Sequence, residues 1–366
     1  MGAYGAKLED ADYFCGVKIE RDVTRKRLFI SQEAYIDRVV KEFDIESGRG
    51  KPPRTPADAS ARLSKEQSPK TAEEREQMSK KPYARLVGAL LWIAMMTRPD
   101  ICDQVQKQSQ YLRDPGLAHW EAALRVVRYL KGTRRHGVML DGAGITFTLN
   151  DDGTETIDQP IVFYCDADYA GDTDDRKSVS GLVASIAGAL VMWRAKKQGG
   201  VTLNTMQAEL VSMGTAVQEN EGLIAGLAEI GFRATLPSII HEDNTAAILH
   251  TKDGRNQSKA RHIGVRFFYI RENVRDGKVK IVYCPTAKMM ADIMTKAIPA
   301  DQFEYLRNGI GVVDVPTELS KSLGDNGTNA LVAISGEWET RKYHGANDPK
   351  RKTLTKHDIM HEVDYV

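Results

Sequence analysis

The chain has 366 residues, 42% hydrophobic and 28% charged, and its 51 basic and 50 acidic side chains leave a formal charge of +1. That length provides for two or three domains with buried cores, and the near-neutral balance excludes a uniformly cationic protein, so affinity for nucleic acid has to come from local patches. Cys15, Cys102, Cys165 and Cys284 are widely spaced with no Cys-x-x-Cys pair, which argues against a structural zinc or a disulfide framework and for free thiols in a reducing compartment.

Residues 13–46 read as two short strands, Tyr13 to Glu20 and Leu28 to Ser31, and a helix from Gln32 to Phe43 with Ser31 as its N-cap. Residues 47–81, rich in Pro, Gly, Ser and Lys, read as an exposed linker. Helices are expected over Tyr83 to Met96, Pro99 to Tyr111 and Ala118 to Lys131. The last has Arg125, Arg128, Lys131, Arg134 and Arg135 in or just past it, which suits phosphate contact and a solvated helix end equally. The apolar run from Leu86 to Met96 is too short to cross a bilayer. The N-terminus lacks the apolar segment of a signal peptide, and Ala6 stands where myristoylation of Gly2 needs Ser or Thr.

From Ile145 the pattern becomes strand-like, over Ile145 to Leu149, Ile161 to Tyr164, Ser180 to Ile186 and Ala189 to Arg194, with Gly188 in the last turn. Asn204, with Gln207 at N3 for a capping box, opens a long helix that Gly231 ends. A strand from Ser238 to Glu242 leads into a short helix capped by Asp243 or Asn244, and a strand from Val279 to Tyr283 precedes a final helix holding Asp292. This order of strands and helices describes a mixed sheet covered by helices, in which ligands gather at strand ends. Residues 313–366 read as a weakly structured tail.

Asp166, Glu209, Asp243 and Asp292 each follow or open one of these elements. Brought together, such carboxylates suit hard divalent cations, two of which about 4 Å apart can clamp the attacking and leaving oxygens of a phosphodiester. Spacing alone is weak evidence in a chain with 50 acids. The contexts carry more: Tyr-Cys-Asp-Ala-Asp-Tyr-Ala-Gly-Asp (164–172), Arg-Lys-Ser-Val-Ser-Gly (176–181), Trp-Arg-Ala-Lys-Lys-Gln (193–198), Gln-Ala-Glu (207–209), Glu-Asp-Asn-Thr-Ala-Ala-Ile (242–248) and Ala-Asp-Ile-Met-Thr-Lys (291–296). These blocks resemble the ribonuclease H domain of copia-type LTR-retrotransposon Pol polyproteins. Upstream, Tyr-Phe-Cys-Gly-Val-Lys-Ile-Glu (13–20), Leu-Val-Gly-Ala-Leu-Leu-Trp-Ile (86–93), Thr-Arg-Pro-Asp-Ile (97–101) and Ala-Leu-Arg-Val-Val-Arg-Tyr-Leu-Lys-Gly-Thr (123–133) resemble the end of the reverse transcriptase and its connection in the same family.

The resemblance implies an α/β (α+β) fold: a ribonuclease H-like mixed five-stranded sheet flanked by helices, preceded by a mainly helical reverse-transcriptase thumb/connection remnant. The expected divisions are a palm/thumb remnant (1–46), the linker (47–81), a helical connection (82–140), the ribonuclease H-like domain (141–312) and the tail (313–366). It implies hydrolysis of the RNA strand of RNA–DNA hybrids, with Asp166, Glu209, Asp243 and Asp292 as catalytic ligands of two Mg²⁺ ions, Mn²⁺ able to substitute, and Asp166 shared by both. The Tyr-x-Asp-Asp polymerase motif is missing, so no polymerase activity is expected. Other parts of the Pol polyprotein are expected partners, and the family places the chain in the cytoplasm or nucleus. The alternative is a catalytically silent nucleic-acid-binding remnant.

Asp168 reads as a partner of the site or a turn cap, and Asp172, Asp174 and Asp175 as an exposed turn. Nucleic-acid contacts are expected from Lys196, Lys197, Lys259, Arg261, His262 and Arg266, the last four in a stretch (251–280) with nine Lys or Arg against three acids. Phe267, Phe268 and Tyr269 within it read as core. Glu242 departs from the family pattern, which has Cys before the third acid.

Overall fold

Two β-sheets and the helices between them account for the described residues of the computed structural model: 12–43, 51–58, 62–252 and 261–316, the side chains of 252 and 261–264 excepted. In chain order the strands are β1 (Tyr13–Phe14), β2 (Val17–Asp22), β3 (Arg27–Ser31), β4 (His136–Asp141), β5 (Phe147–Leu149), β6 (Glu155–Asp168), β7 (Val179–Ile186), β8 (Ala189–Lys197), β9 (Phe232–Glu242), β10 (Val279–Tyr283) and β11 (Val312–Asp314). The helices are α1 (Glu33–Glu42), α2 (Ala72–Ser79), α3 (Tyr83–Met96), α4 (Cys102–Ser109), α5 (Leu117–Gly132), α6 (Thr205–Glu229), α7 (Thr245–Lys252), α8 (Arg261–Arg275) and α9 (Ala300–Gly309).

The larger sheet has the order β10-β9-β6-β7-β8, with β5 added as a sixth strand on β6. Strands β6, β7 and β8 pair antiparallel, while β9 and β10 run parallel to β6. This is the mixed five-stranded, helix-flanked sheet that the resemblance implies. Ala187 and Gly188, both with positive φ, form the two-residue hairpin between β7 and β8, a conformation that glycine adopts without cost. The centre strand β6 is far longer than the segment 161–164 expected for it, because β5 and β9 pair with its first residues and β7 pairs with Ile161 to Asp168.

Alternation along β7 divides the interior in two. Leu182, Ala184 and Ile186 face a core made with Phe163, Ile240, Leu210, Met213, Val217 and Ile270, under α6 and α8. Val183 points the other way, with Leu190, Ile293 and Met294, into a core built mainly from Leu86, Leu90, Ile93, Val105, Val126 and Leu130 of α3, α4 and α5. The helical layer thus packs directly on the back of the larger sheet, and Trp193 Nε1 donates to the Ala94 carbonyl at 2.9 Å across that boundary.

The N-terminal part is less purely helical than expected, since it contributes a second, antiparallel sheet in the order β1-β2-β3-β4-β11. Its last strand comes from beyond Asp292: Val312 pairs with Val138 and Asp314 with His136. Fully buried Arg98 fastens the helical layer, donating to both carboxylate oxygens of Asp100 and to Thr133, while Tyr129 donates to Asp100 at 2.6 Å. A buried pair of this kind is costly to break on one side.

Several local expectations change. Ser31 ends β3, and α1 has Gln32 as its N-cap with no side-chain hydrogen bond. Within the stretch expected to be an exposed linker, Thr71 caps α2 by accepting from the Glu74 amide, and Met78 is buried. Asp292 lies on a 3₁₀ turn, Met290–Met294, instead of an α-helix. Residues 317–366 of the expected tail lie outside the described residues, and its first residues belong to β11. No helix among the described residues is long and apolar enough to cross a membrane.

Candidate metal centre

Asp166 sits two residues before the end of β6, and Asp243 immediately follows β9. Because Tyr164 is in register with His241 on the parallel neighbour, two further residues bring Asp166 level with Asp243. Glu209 projects from the second turn of α6, whose start Asn204 fixes by accepting from the Gln207 amide at 2.9 Å. Gln207 does not return its carbonyl oxygen to Asn204; it accepts instead from the Leu203 amide, so the expected reciprocal cap is displaced by one residue. Asp292 reaches the same place because Gly181, opposite Asp166 on β7, leaves room for its turn: a Cβ there would lie 2.6 Å from Thr295 Cγ2 and 2.8 Å from the Ala291 carbonyl.

The four expected carboxylates converge in two overlapping groups. Asp166, Asp243 and Asp292 offer oxygens within 4.8 Å of one another, and so do Glu209, Asp243 and a fifth acid, Glu242. The carboxylate common to both groups is Asp243. Asp168 belongs to neither group.

Hydrogen bonds orient these groups. Thr295 Oγ1 donates to Asp166 Oδ2, Ser212 Oγ donates to the Asp166 carbonyl, and Thr286 Oγ1 donates to Asp243 Oδ2 at 2.8 Å. Lys296 Nζ lies 2.9 Å from Asp292 Oδ1 and 3.4 Å from Asp166 Oδ1. Glu209 Oε2 is buried and has no partner. Among the described residues the five acids therefore share one ammonium, Lys296. Burial, then the charges of Glu242, Asp166 and Asp243, pushes Glu209 up to about 11. Burial likewise raises Asp292 to about 7, with Asp166 adding to it and Lys296 opposing it. Glu242 rises to about 8, again through burial first, against the Asn244 amide that hydrogen-bonds it. Burial alone would lower Lys296, but Asp166 and Asp292 hold it above its ordinary value. An all-oxygen, net-negative, partly unsatisfied pocket is the donor set that hard divalent cations require.

Lys196 and Arg266 are exposed and line one groove of about 240 Å³ between β8 and α6. Lys197 is occupied internally, donating to Gln110 and Asp172 at 2.7 Å and pairing with Asp175 at 2.9 Å. Asp172, expected in an exposed turn, is buried at 8% and also accepts from the amides of Asp174 and Asp175. Lys259 lies outside the described residues, as do the side chains of Arg261 and His262. Phe267 is core and Tyr269 packs against the core while donating to Glu221, but Phe268 is 55% exposed. Near α5, Arg128 is 3.9 Å from Glu121, Arg134 pairs with Glu33 and Asp37, and Arg135 pairs with Asp314.

No protein-family model matches the chain. Over 305 residues, 83% of its length, it is 34% identical to the retrovirus-related Pol polyprotein from transposon TNT 1-94 of Nicotiana tabacum, of which it covers 22%. Over 308 residues it is 32% identical to the retrovirus-related Pol polyprotein from transposon RE2 of Arabidopsis thaliana, covering 84% of this chain and 20% of that one. The chain belongs to the copia-type retrotransposon Pol polyproteins.

This copia-type Pol chain spans about a fifth of the length of those curated relatives. Among solved structures it is similar to LC11-RNase H1, isolated from compost, with 16% identity and a TM-score of 0.29 over 37% of this chain and 93% of that one. That RNase H1 is also solved in complex with an RNA/DNA hybrid. Sequence reasoning about the copia-type Pol chain missed two members of the site. Lys296 could have been found from its position four residues after Asp292, and Glu242 from its place beside Asp243 at a strand end.

Proposed function

We propose that this chain is an endoribonuclease that hydrolyses the RNA strand of RNA–DNA hybrids, with Asp166, Glu209, Asp243 and Asp292 holding two Mg²⁺ ions that Mn²⁺ can replace. The observation that carries the reading is the convergence of these four acids, chosen from sequence context, from β6, α6, the end of β9 and the turn before α9, with a buried Glu209 oxygen left unpaired. Two divalent cations held by these residues would supply an ionised water near neutral pH and neutralise the charge that builds on the leaving oxygen.

The chain's own residues set the geometry. Asp243 is the most exposed of the four, so an approaching phosphodiester meets it first, and the Thr286 hydroxyl fixes its orientation. Asp166, Glu209 and Asp292 are buried and form the floor, which excludes water from the inner oxygens. Lys196 and Arg266, exposed on the groove beside α6, would contact phosphates of the duplex, each such contact adding to the salt dependence of binding. The products are 5′-phosphate and 3′-hydroxyl ends, and preference for RNA rests on its 2′-hydroxyls.

The test is cleavage of a labelled RNA–DNA hybrid by the intact chain. Cleavage is expected with Mg²⁺, is lost in Asp166→Asn and Asp243→Asn, and is absent on duplex DNA. Salt-dependent hybrid binding without turnover by folded protein would replace this reading with that of a binding module.

A further inference from the structure

We infer that Glu242 is a fifth cation-binding carboxylate, forming with Glu209 and Asp243 an oxygen-only site for a hard divalent cation; the inference rests on the metal-dependent reading above and extends it. Glu242 ends β9 and is completely buried. Its Oε1 accepts from the Asn244 amide at 3.0 Å, and its Oε2 accepts from the Cys165 thiol at 3.4 Å. Those two bonds leave lone pairs on both oxygens, since a carboxylate has about four acceptor directions.

Its neighbours point to a ligand. Glu242, Glu209 and Asp243 offer oxygens within 4.8 Å of one another. Glu209, 3% exposed, keeps Oε2 without a hydrogen-bond partner. Lys296 serves the other half of the pocket, through Asp166 and Asp292, and among the described residues no basic side chain is paired with Glu209, Glu242 or Asp243. Buried carboxyls stay ionised only beside a partner or a metal and otherwise take up a proton, which a cation bound here would displace. Three of them bring more negative charge than a divalent cation neutralises, and ligand charge count is one of the features that sets affinity in such sites. Glu242 therefore belongs to the binding set, with Asp243 common to both groups of acids.

Calorimetric titration of the full chain with Mn²⁺, without nucleic acid, separates the alternatives. Wild type should show two classes of site. Glu242→Gln keeps the shape and the acceptor for Asn244 but not the charge, and should weaken one class by about tenfold or more, at least the effect of losing a ligand's supporting partner. Asp166→Asn should weaken the other class. A Glu242→Gln titration that matches wild type overturns the role of Glu242 and leaves the proposed function standing, whereas wild type that binds no Mn²⁺ overturns both. Should Glu242→Gln fail to fold, judged by its melting in EDTA, wild-type crystals soaked in Mn²⁺ decide the matter. An anomalous peak between Glu209, Glu242 and Asp243 is expected, and a peak confined to Asp166, Asp243 and Asp292 overturns the inference.

Discussion

The Lys296 ammonium lies 2.9 Å from Asp292 Oδ1, four residues back in the chain, and extends from there to Asp166. It is the one described cation inside a pocket of five acids, so it holds the cation-free form together and competes with metal for two of the ligands. Lys296→Met should lower the stability of the EDTA-treated protein by about 1–3 kcal/mol, the cost of leaving a buried charged group unsatisfied. Added Mn²⁺ should then raise its melting temperature by more than it raises that of wild type. Thermal melts with and without Mn²⁺ check both, and an unchanged melt in EDTA would refute the first.

Gly181 controls how closely the Asp292 turn approaches β6. In Gly181→Ala the new methyl meets the Ala291 carbonyl and Met294 Cβ at under 3 Å, so the turn has to retreat. Overpacking of this sort costs about 1–3 kcal/mol. Because a displacement of about 1 Å can cost roughly 100-fold in rate, hybrid cleavage should fall far more than stability does. Parallel measurement of turnover and urea unfolding distinguishes this from simple misfolding.

How far the sequence anticipated this site depends on which forces act locally. The Asn204 cap, the Val279–Tyr283 strand and the end of α6 before Gly231 depend on neighbours in the chain, and all three are where composition and spacing put them. The turn at Asp292 is different. Its shape is set by Gly181 and Thr295 packing against β6 and β7, contacts that no local pattern displays. Glu242 was passed over because it departs from the family's pattern, although a charged residue ending a buried parallel strand needs an explanation on physical grounds alone. Strand β11 was invisible for a related reason: three residues that pair with a strand more than 150 positions earlier carry almost no periodicity.

His136, at the start of β4, gives the fold a pH dependence away from the metal centre. Burial, then the charges of Arg98 and Arg307, depresses it to about 4, and its Nδ1 has no partner. The unfolded chain therefore binds a proton near pH 6.5 that the folded chain refuses until about pH 4. Stability from this group is complete above pH 6.5 and is lost as pH falls through that window, by about 1–3 kcal/mol in all. His136→Gln should remove this slope. The raised acids of the metal centre act in the opposite direction but are common to both proteins, so the difference between their denaturation curves isolates His136.

Residues 141–312, the expected ribonuclease H-like domain, should not behave as an independent unit. Val183, Leu190, Ile293 and Met294 lie in the core of the helical layer, and Trp193 is hydrogen-bonded to α3. Expressed alone, 141–312 should expose that apolar face, bind a hydrophobic dye and melt well below the full chain. Equal melting temperatures would show that the two layers are not coupled.

The pairing of β11 with β4 bears on how copies of such an element decay. A premature stop between Lys296 and Ala300 would spare every acid of the proposed centre, yet it would delete α9 and β11 and leave β4 unpaired on that edge of the sheet built near the start of the chain. Genomic copies with all their signature blocks intact can therefore lack part of this packing, so a census of competent copies has to count the reading frame through Asp314 as well as the signature blocks.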